Sequence, residues 1–336
     1  MSKALLVSLA FVLFGAASAQ AQPNTSMGAS QDASAVAWLH RIAGAAREQN
    51  YTGTYIYQHG NRVEVFKITH LHDNRGEHEK LEVLDDTPRE IVRHNDEVLC
   101  FEGDARSAIV EKRKFRNAFP ELLPNQVDAL LDNYSVKMGG VGRVTGISCR
   151  NIMLEPKDNL RYRYKLCADN ATGMLLKVSM LNDMNEVMAQ TAFTQISIGG
   201  KIDKTQLKPK LSGRKVVISS GKPMADDMGS NPSWSVSQLP PGFTKVMAVK
   251  RMLPGKDAPV RHMVFSDGLA TVSVFIEPLA GTEKPVQGLS SRGVINVYAR
   301  LLDGHQITVL GEVPPATVMQ TGNSVVHQAK PTGMKP

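Results

Sequence analysis

Three histidines near the start of the chain are the first candidates for chemistry. His70, His72 and His78 lie within Thr-His-Leu-His-Asp-Asn-Arg-Gly-Glu-His. Two histidines that alternate along a strand point to the same face and could share a metal ion. The surrounding residues are typical of a charged hairpin turn, and no second compact group of His or Cys completes a ligand set. We therefore expect no metal site.

A serine, an acid and two bases that could support hydrolysis also occur in the second half of the chain. These are Ser266, Asp267, His262 and His305. The sequence has no Gly-x-Ser-x-Gly nucleophile elbow, and Ser-Asp-Gly between two strands is first of all a turn. The residue types alone do not assemble an active site, so we predict no catalytic residues and a protein that is not an enzyme.

Two further segments could contact phosphate. The glycine-rich segment 139–142 fails as a phosphate loop because a strand rather than a helix follows it. The basic segment 111–116 could meet phosphate or carboxylate, but it is more typical of a solvated loop. Neither segment predicts a cofactor.

Tyrosines dominate the most regular strand signal in the sequence. In the stretch 51–59, Tyr51, Tyr55 and Tyr57 alternate with β-branched and polar residues, which predicts a strand. Three tyrosines on one face suit an amphipathic groove, because each combines an apolar ring with a polar tip. Ordinary sheet packing explains the same pattern, and the sequence leaves both interpretations open.

The first residues have the features of an export signal. Residues 1–21 carry one lysine, a short apolar block and a small-residue ending, which predicts a signal peptide cleaved after Ala19 or Ala21. No cysteine follows the block, so a lipid anchor is not indicated. We therefore expect a mature protein in the periplasm.

Length and charge limit the remaining possibilities. The chain of 336 residues is long for one domain, which favours two. Its formal net charge is +7. For an exported protein this charge argues against nucleic acid and towards anionic lipid, lipopolysaccharide phosphate or an acidic protein partner.

The cysteines predict one disulfide. Cys149 and Cys167 flank a turn centred near Asp158, so in a symmetric hairpin they would face each other directly across the ladder. Cys100 is left over, and we expect it to be buried and inert.

The order of elements predicts a mainly β protein with some α-helix. A helix capped by Asp32 is expected to end near Asn50, and a second helical stripe lies between Phe115 and Asn133. Strands are predicted at 51–59, 62–72, 77–85, 89–94, 97–102, 107–110, 144–155, 160–168, 174–182, 186–198, 244–252, 260–266, 270–278, 293–300 and 305–312. Sequential strands with tight turns indicate one large curved antiparallel sheet with helices on its concave side, followed by a smaller unit.

Changes in composition predict the domain boundaries. We expect a large domain at 30–199, a basic linker at 200–232, a small C-terminal domain at 233–318 and a flexible tail at 319–336.

Four stretches in this order resemble the MucB/RseB family, which comprises periplasmic regulators of the envelope-stress sigma factor sigma-E, or AlgU. They are Tyr-Thr-Gly-Thr-Tyr-Ile-Tyr at 51–57, Arg-Tyr-Arg-Tyr-Lys-Leu from Arg161 through Thr-Gly-Met-Leu-Leu-Lys at 172–177, the Ser-Asp-Gly stretch at 266–278 and the Asp-Gly-His stretch at 303–314. The resemblance runs from about residue 33 to residue 318.

The resemblance implies a fold and a function. The large domain would be an unclosed antiparallel β-barrel like the lipoprotein carriers, with helices on its concave side, and the small domain would be α+β. The protein would bind the periplasmic domain of a membrane anti-sigma factor of the MucA/RseA type and protect it from regulated proteolysis. Lipid or lipopolysaccharide-type ligands in the cavity would promote release. The alternative is a periplasmic lipid or lipoprotein carrier, and the sequence leaves a homo-oligomer open.

Within this interpretation the sequence offers specific site residues. The candidates for the cavity wall are Tyr55, Tyr57, Tyr162 and Tyr164. The strand 270–278 is where we expect partner contact, through Val272, Val274 and Ile276. Domain movement is expected at the linker 200–232, because a ligand can release a partner only by favouring a second conformation.

Overall fold

The structure is a computed structural model that describes residues 25–85, 87–102, 108–112, 118–210, 224–225, 233–252, 258–279 and 284–328. The predicted signal peptide and both of its cleavage positions lie outside these residues, as do most of the basic segment 111–116 and much of the linker. None of the helices within the described ranges is both long and apolar enough to cross a membrane.

Eleven antiparallel strands form the sheet of the large domain. They are β1 (Tyr51–His59), β2 (Arg62–Asp73), β3 (Gly76–Val83), β4 (Arg89–His94), β5 (Glu97–Glu102), β6 (Ala108–Lys112), β7 (Tyr134–Val144), β8 (Ile147–Pro156), β9 (Arg163–Asp169), β10 (Leu175–Leu181) and β11 (Val187–Ile198). The strand order is β6-β5-β4-β3-β2-β1-β11-β10-β9-β8-β7. The edge strands β6 and β7 do not pair with each other, so the barrel is unclosed, which confirms the predicted fold class.

The small domain has a seven-stranded antiparallel sheet and a two-stranded one. Its strands are β12 (Met224–Ala225), β13 (Trp234–Val236), β14 (Thr244–Arg251), β15 (Val260–Ser266), β16 (Thr271–Pro278), β17 (Gly288–Arg292), β18 (Ile295–Leu302), β19 (His305–Gly311) and β20 (Val325–His327). The larger sheet runs β12-β14-β15-β16-β19-β18-β17, and β13 pairs with β20.

The helices cover these sheets. Helix α1 (Thr25–Glu48) begins before the predicted cap at Asp32, and its buried side chains, which include Leu39 and Ile42, pack in the core of the large domain. Helix α2 (Pro315–Asn323) starts with proline at its first position, where the missing N–H costs no hydrogen bond. It packs on β18 and β19. Short 3₁₀ turns lie at Val127–Asp132 and Lys204–Leu207.

Several sequence predictions about element boundaries were wrong. Strands β13, β17 and β20 were not predicted, and the helical stripe expected between Phe115 and Asn133 is only the 3₁₀ turn at Val127–Asp132. The flexible tail was expected from residue 319, but α2 continues to Asn323 and β20 follows, because Val318 and Val325 are buried in the core of the small domain. Strand β7 was missed because its glycines lower strand propensity. Gly142 is required there, since a Cβ at that position would lie 2.9 Å from the Cys167 sulfur.

The predicted disulfide between Cys149 and Cys167 is present, with a Cα–Cα distance of 5.4 Å. Its register differs from the prediction, because Cys149 pairs with Asp169 across the ladder and Cys167 pairs with Asn151. The disulfide is therefore diagonal. Cys100 lies on β5, outside the bridge, and is half-buried rather than buried.

Removing this disulfide is expected to destabilise the protein. The bridge closes a loop with a sequence separation of 18 residues, for which loss of the constraint on the unfolded chain costs roughly 3 kcal/mol. The double variant Cys149→Ser/Cys167→Ser should lose about that much free energy of unfolding in denaturant titrations. Cys100→Ser is the matched control, and equal losses in both proteins would contradict the prediction.

The first part of the predicted linker lies along the sheet of the large domain. We call residues 199–210 the strap. Ile68 faces the core, so its neighbour Thr69 and the paired Lys80 lie on the opposite face of the sheet. On that face the Lys80 ammonium donates to the Lys208 carbonyl at 3.0 Å, and the Lys210 ammonium contacts Glu82 at 2.8 Å. The strap is thus anchored, and domain movement at the linker remains a prediction only for the residues that follow it.

Candidate functional site

The tip of the β15–β16 hairpin enters the large domain. Gly268 has φ of +102°, and a Cβ there would lie 3.1 Å from the Pro124 ring and 3.2 Å from the Leu130 side chain. The backbone conformation therefore favours glycine, and a side chain here would press on both neighbours. The next residue, Leu269, is buried in the core cluster of the large domain. The predicted Asp-Gly turn is therefore part of a domain interface.

A buried ion pair fastens this hairpin. The Arg161 guanidinium, from the loop between β8 and β9, donates to the Asp267 carboxylate at 2.7 Å, and both side chains are fully buried. Arg161 also pairs with Asp158 at 3.0 Å and donates to the Pro241 carbonyl at 2.6 Å. The Tyr134 hydroxyl donates to the same Asp267 carboxylate at 3.3 Å. Each charge is compensated, as burial requires.

Further hydrogen bonds join the two domains around this pair. The Tyr57 hydroxyl donates to the Glu312 carboxylate at 2.9 Å. The Asn296 amide donates to the Tyr162 hydroxyl at 3.2 Å. The Thr317 hydroxyl of α2 donates to the carbonyl of Leu160 at 2.5 Å. These contacts stabilise the observed arrangement of the two domains.

An open cleft of about 280 Å³ lies between the domains, near the lower limit of about 300–1,000 Å³ for ligand pockets. Its wall is mostly apolar. The lining residues are Tyr57, Phe119, Leu122, Tyr164, Val178, Met180, Ala189, Gln190, Thr191, Leu269, Ala270, Thr271 and Glu312.

The two tyrosines of the cleft wall contribute no charge. Burial, reinforced by Glu312, raises the pKa of both Tyr57 and Tyr164 above the usual value, so both hydroxyls stay neutral at physiological pH. Glu312 is the one carboxylate among the lining residues, and Tyr57 already donates to it. An anionic head group would meet this carboxylate, whereas an acyl chain would meet mainly apolar side chains. The wall therefore suits hydrocarbon.

The structure separates the four predicted cavity tyrosines into three environments. Tyr57 and Tyr164 line the cleft. Tyr55 is buried among aromatic rings, including those of Phe119 and Phe193. Tyr162 is half-buried at the domain interface, where it accepts the hydrogen bond from Asn296.

The predicted partner-contact residues of β16 lie in the core. Val272, Val274 and Ile276 are 0%, 0% and 2% exposed. Their alternation marks the covered face of a central strand, because β15 and β19 pair on either side of β16. A partner could touch these side chains only if the sheet opened, so we correct the prediction of direct contact through them.

The three histidines considered as metal ligands, His70, His72 and His78, do not all lie on one face of the sheet. His70 pairs with Glu79, and His78 pairs with Leu71, so His70 and His78 lie on opposite faces of the sheet. Within the described ranges, no group of three or more His, Cys, Asp or Glu side chains could hold a metal ion.

The proposed hydrolytic residues are likewise dispersed. Ser266 bonds within its own turn, donating to the Ala270 carbonyl at 2.7 Å. His262 contacts Ser273 at 3.1 Å, and His305 packs against Trp234. None of these contacts joins Ser266 to a histidine.

His262 instead predicts a pH effect on stability. Burial, with help from Arg251, lowers the pKa of His262 to about 4. The unfolded side chain, with a pKa near 6.5, binds a proton first, so stability falls as the pH drops from about 6.5 to about 4 and this contribution is then constant. Between pH 7 and pH 5 the loss should be about 2 kcal/mol, measured by urea unfolding. His262→Gln should remove that component, and an unchanged pH dependence in the variant would contradict the assignment.

Sequence reasoning missed the residues that build the interface. Arg161 and Asp267 lie in two of the stretches on which the family resemblance rests, but nothing in either stretch indicates that they meet. The sequence analysis did not single out Glu312 or Asn296 either. The available signal was the resemblance itself, whose separate stretches converge on this interface.

Comparison with known families finds two matches that together cover most of the chain. Residues 34–211 match the MucB/RseB N-terminal domain, and residues 228–326 match the MucB/RseB C-terminal domain.

Curated relatives match over nearly their whole length. The chain is 30% identical over 311 residues to the "Sigma factor AlgU regulatory protein MucB" of Pseudomonas aeruginosa, covering 90% of this chain and 93% of that protein. It is 25% identical over 301 residues to the "Sigma-E factor regulatory protein RseB" of Escherichia coli K12, covering 86% and 89%.

Solved structures agree with these relatives. The structure of the Pseudomonas aeruginosa MucA/MucB complex has a TM-score of 0.70 and 29% identity, covering 88% of this chain and 100% of that chain. A crystal structure of MucB has a TM-score of 0.64 and 27% identity, covering 88% and 98%.

Proposed function

We propose, since the chain belongs to the MucB/RseB family, that it is a periplasmic regulator of a sigma-E-type envelope stress response. It binds the periplasmic domain of a membrane anti-sigma factor. The observation that carries this proposal is the likeness, across both domains, to MucB in complex with MucA.

The regulator acts negatively by shielding its partner. An anti-sigma segment held against the folded domains is unavailable to a protease that needs an extended, accessible chain. Bound regulator therefore delays the cleavage that would release the sigma factor. The basic character of the protein, with its formal net charge of +7, favours an acidic partner surface.

A lipid or lipopolysaccharide-type ligand promotes release by entering the interdomain cleft. The apolar wall supports this assignment, because it is complementary to an acyl chain. The ligand must bind the released conformation more tightly than the partner-bound one. The hydrogen bond between Tyr57 and Glu312 spans the two domains at the cleft, so a ligand there would compete with an interdomain contact.

A reconstituted cleavage assay tests the shielding. The purified anti-sigma periplasmic domain is exposed to its initiating protease with and without the mature protein, and then with lipopolysaccharide fragments added. We expect slow cleavage in the presence of the protein and restored cleavage with the fragments. Cleavage at the same rate with and without the protein would contradict shielding. Protein that carries lipid and leaves cleavage unaffected would favour a lipid carrier.

A further inference from the structure

The outermost strand of the small-domain sheet is exposed along its length. Strand β17 lies at the edge of the seven-stranded sheet, and among the described residues no strand pairs with its outer side. Every residue from 284 to 293 is exposed. An exposed edge is a template for an added strand. Lys284 and Pro285 lie just before β17, but the five residues of the strand itself include neither lysine nor proline.

The residues just before β17 hold this edge strand in position. The buried side chain of Gln306 accepts from the Val286 N–H at 2.8 Å and donates to the Val286 carbonyl at 2.9 Å. This pair of hydrogen bonds between the Gln306 side-chain amide and the Val286 main chain fixes the backbone just before β17. A fixed edge loses less conformational entropy when a partner binds than a frayed one would.

The hairpin geometry identifies the outward backbone groups. Gly293 and Val294 form a two-residue turn, and Arg292 pairs with Ile295. In such a hairpin the flanking pair is hydrogen-bonded, and bonded and non-bonded residues then alternate along the strand. The N–H and C=O groups of Leu289 and Ser291 consequently point away from β18. They are available to a further strand.

The side chains indicate what kind of segment would fit. Residues 284–293 include Lys284 and Arg292, at opposite ends, and contain no Asp or Glu. Between them Val286 and Leu289 are 66% and 46% exposed. The complementary partner is an extended segment with apolar residues in its centre and acidic residues at its flanks.

The edge is also continuous with the domain interface. The Ser291 hydroxyl donates to the Asn296 side-chain oxygen at 2.5 Å, and the Asn296 amide donates to Tyr162 of the large domain at 3.2 Å. Two hydrogen bonds thus connect β17 to the surface on which the two domains meet.

We infer that β17 is the docking strand for an acidic, extended segment of the protein partner, which adds an edge strand to the small-domain sheet. The inference rests on the proposed function and locates its partner contact on the exposed strand β17 rather than on the buried strand β16. Main-chain hydrogen bonds to Leu289 and Ser291 hold the segment, and Lys284 and Arg292 set its charge preference.

The test uses the full mature protein and the anti-sigma periplasmic domain of the same organism as the probe. Ser291→Pro removes one outward N–H, which edge strands tolerate because no ladder bond is lost. Ser291→Ala is its matched control, since it removes the same hydroxyl but keeps the N–H. We expect Ser291→Pro to weaken binding by about tenfold or more and Ser291→Ala to change it by no more than about threefold. Circular dichroism checks that both variants are folded.

A second pair of measurements does not depend on proline. Arg292→Glu should weaken binding more than Arg292→Gln, because it adds repulsion to the loss of a charge. Amide hydrogen exchange at Leu289 and Ser291 should slow when the probe is added.

The outcomes are distinguishable. If the wild-type protein binds the probe, but the proline variant binds equally well and exchange at β17 is unchanged, the docking strand is wrong while the proposed function stands. If the wild-type protein does not bind the probe, both the proposed function and the docking strand are wrong. If the protein forms a dimer that Ser291→Pro abolishes, the occupant of the edge is a second copy and the inference is wrong as stated.

Discussion

Replacing Arg161 with methionine is expected to cost about 3–5 kcal/mol of unfolding free energy, because it leaves an uncompensated buried charge. The Asp267 carboxylate has no exposed surface, and Arg161 is its cationic partner at 2.7 Å. The hydroxyl of Tyr134 and the turn amides of Leu269 and Ala270 would remain as donors, but none carries a positive charge. Urea unfolding of the two proteins at pH 7 measures the difference.

Two comparisons isolate the cause of that loss. Lys137→Met removes an exposed ion pair with Glu155, which should cost no more than about 1 kcal/mol. In Arg161→Met/Asp267→Asn the buried charge is absent, while the amide oxygen can still accept the turn hydrogen bonds, so part of the stability should return. A loss for Arg161→Met no larger than for Lys137→Met would show that the pair does not hold the interface.

Lys80→Met should produce the second large effect. The Lys80 side chain is 1% exposed, and its ammonium lies 2.8 Å from Glu90 and 3.5 Å from Glu82. Methionine fills a similar volume but leaves carboxylates in a largely buried site without that cation, which costs about 3 kcal/mol or more. The same change removes the donor to the Lys208 carbonyl, so it should also loosen the strap.

Limited proteolysis separates these two consequences. Trypsin should cut after Lys204 and Lys210 faster in Lys80→Met than in the wild-type protein; the bond after Lys208 is resistant because Pro209 follows it. Lys204→Met cannot serve as the cleavage control, because it removes a trypsin site. It can serve as the control for stability, because the Lys204 side chain in its ion pair with Asp73 is exposed. Equal cleavage rates in Lys80→Met and wild type would mean that Lys80 does not anchor the strap.

The sequence predicted local structure well where one periodic signal dominated. The alternation of 51–59 identified β1 with its observed bounds, and the cysteine pair was assigned correctly. The predicted register of that pair was wrong by two residues, because turn length sets register and the turn between β8 and β9 is not symmetric about Asp158.

The candidate site was less accessible to prediction, because it depends on contacts between residues far apart in the chain. The alternation of Val272, Val274 and Ile276 correctly indicates a covered face, but it does not say whether a partner or the domain's own core covers it. The meeting of Arg161 with Asp267 follows from the packing of two domains, for which neither local stretch carries a signal. Likewise, an exposed sheet edge such as β17 can be recognised only when the order of strands is known.

The most direct test of the proposed regulator is a calorimetric titration of the mature protein with the periplasmic domain of its own anti-sigma factor. We expect saturable binding that weakens when lipopolysaccharide fragments are present, because the ligand and the partner favour different conformations. Absence of binding, with and without the fragments, would contradict the regulatory function and favour the carrier.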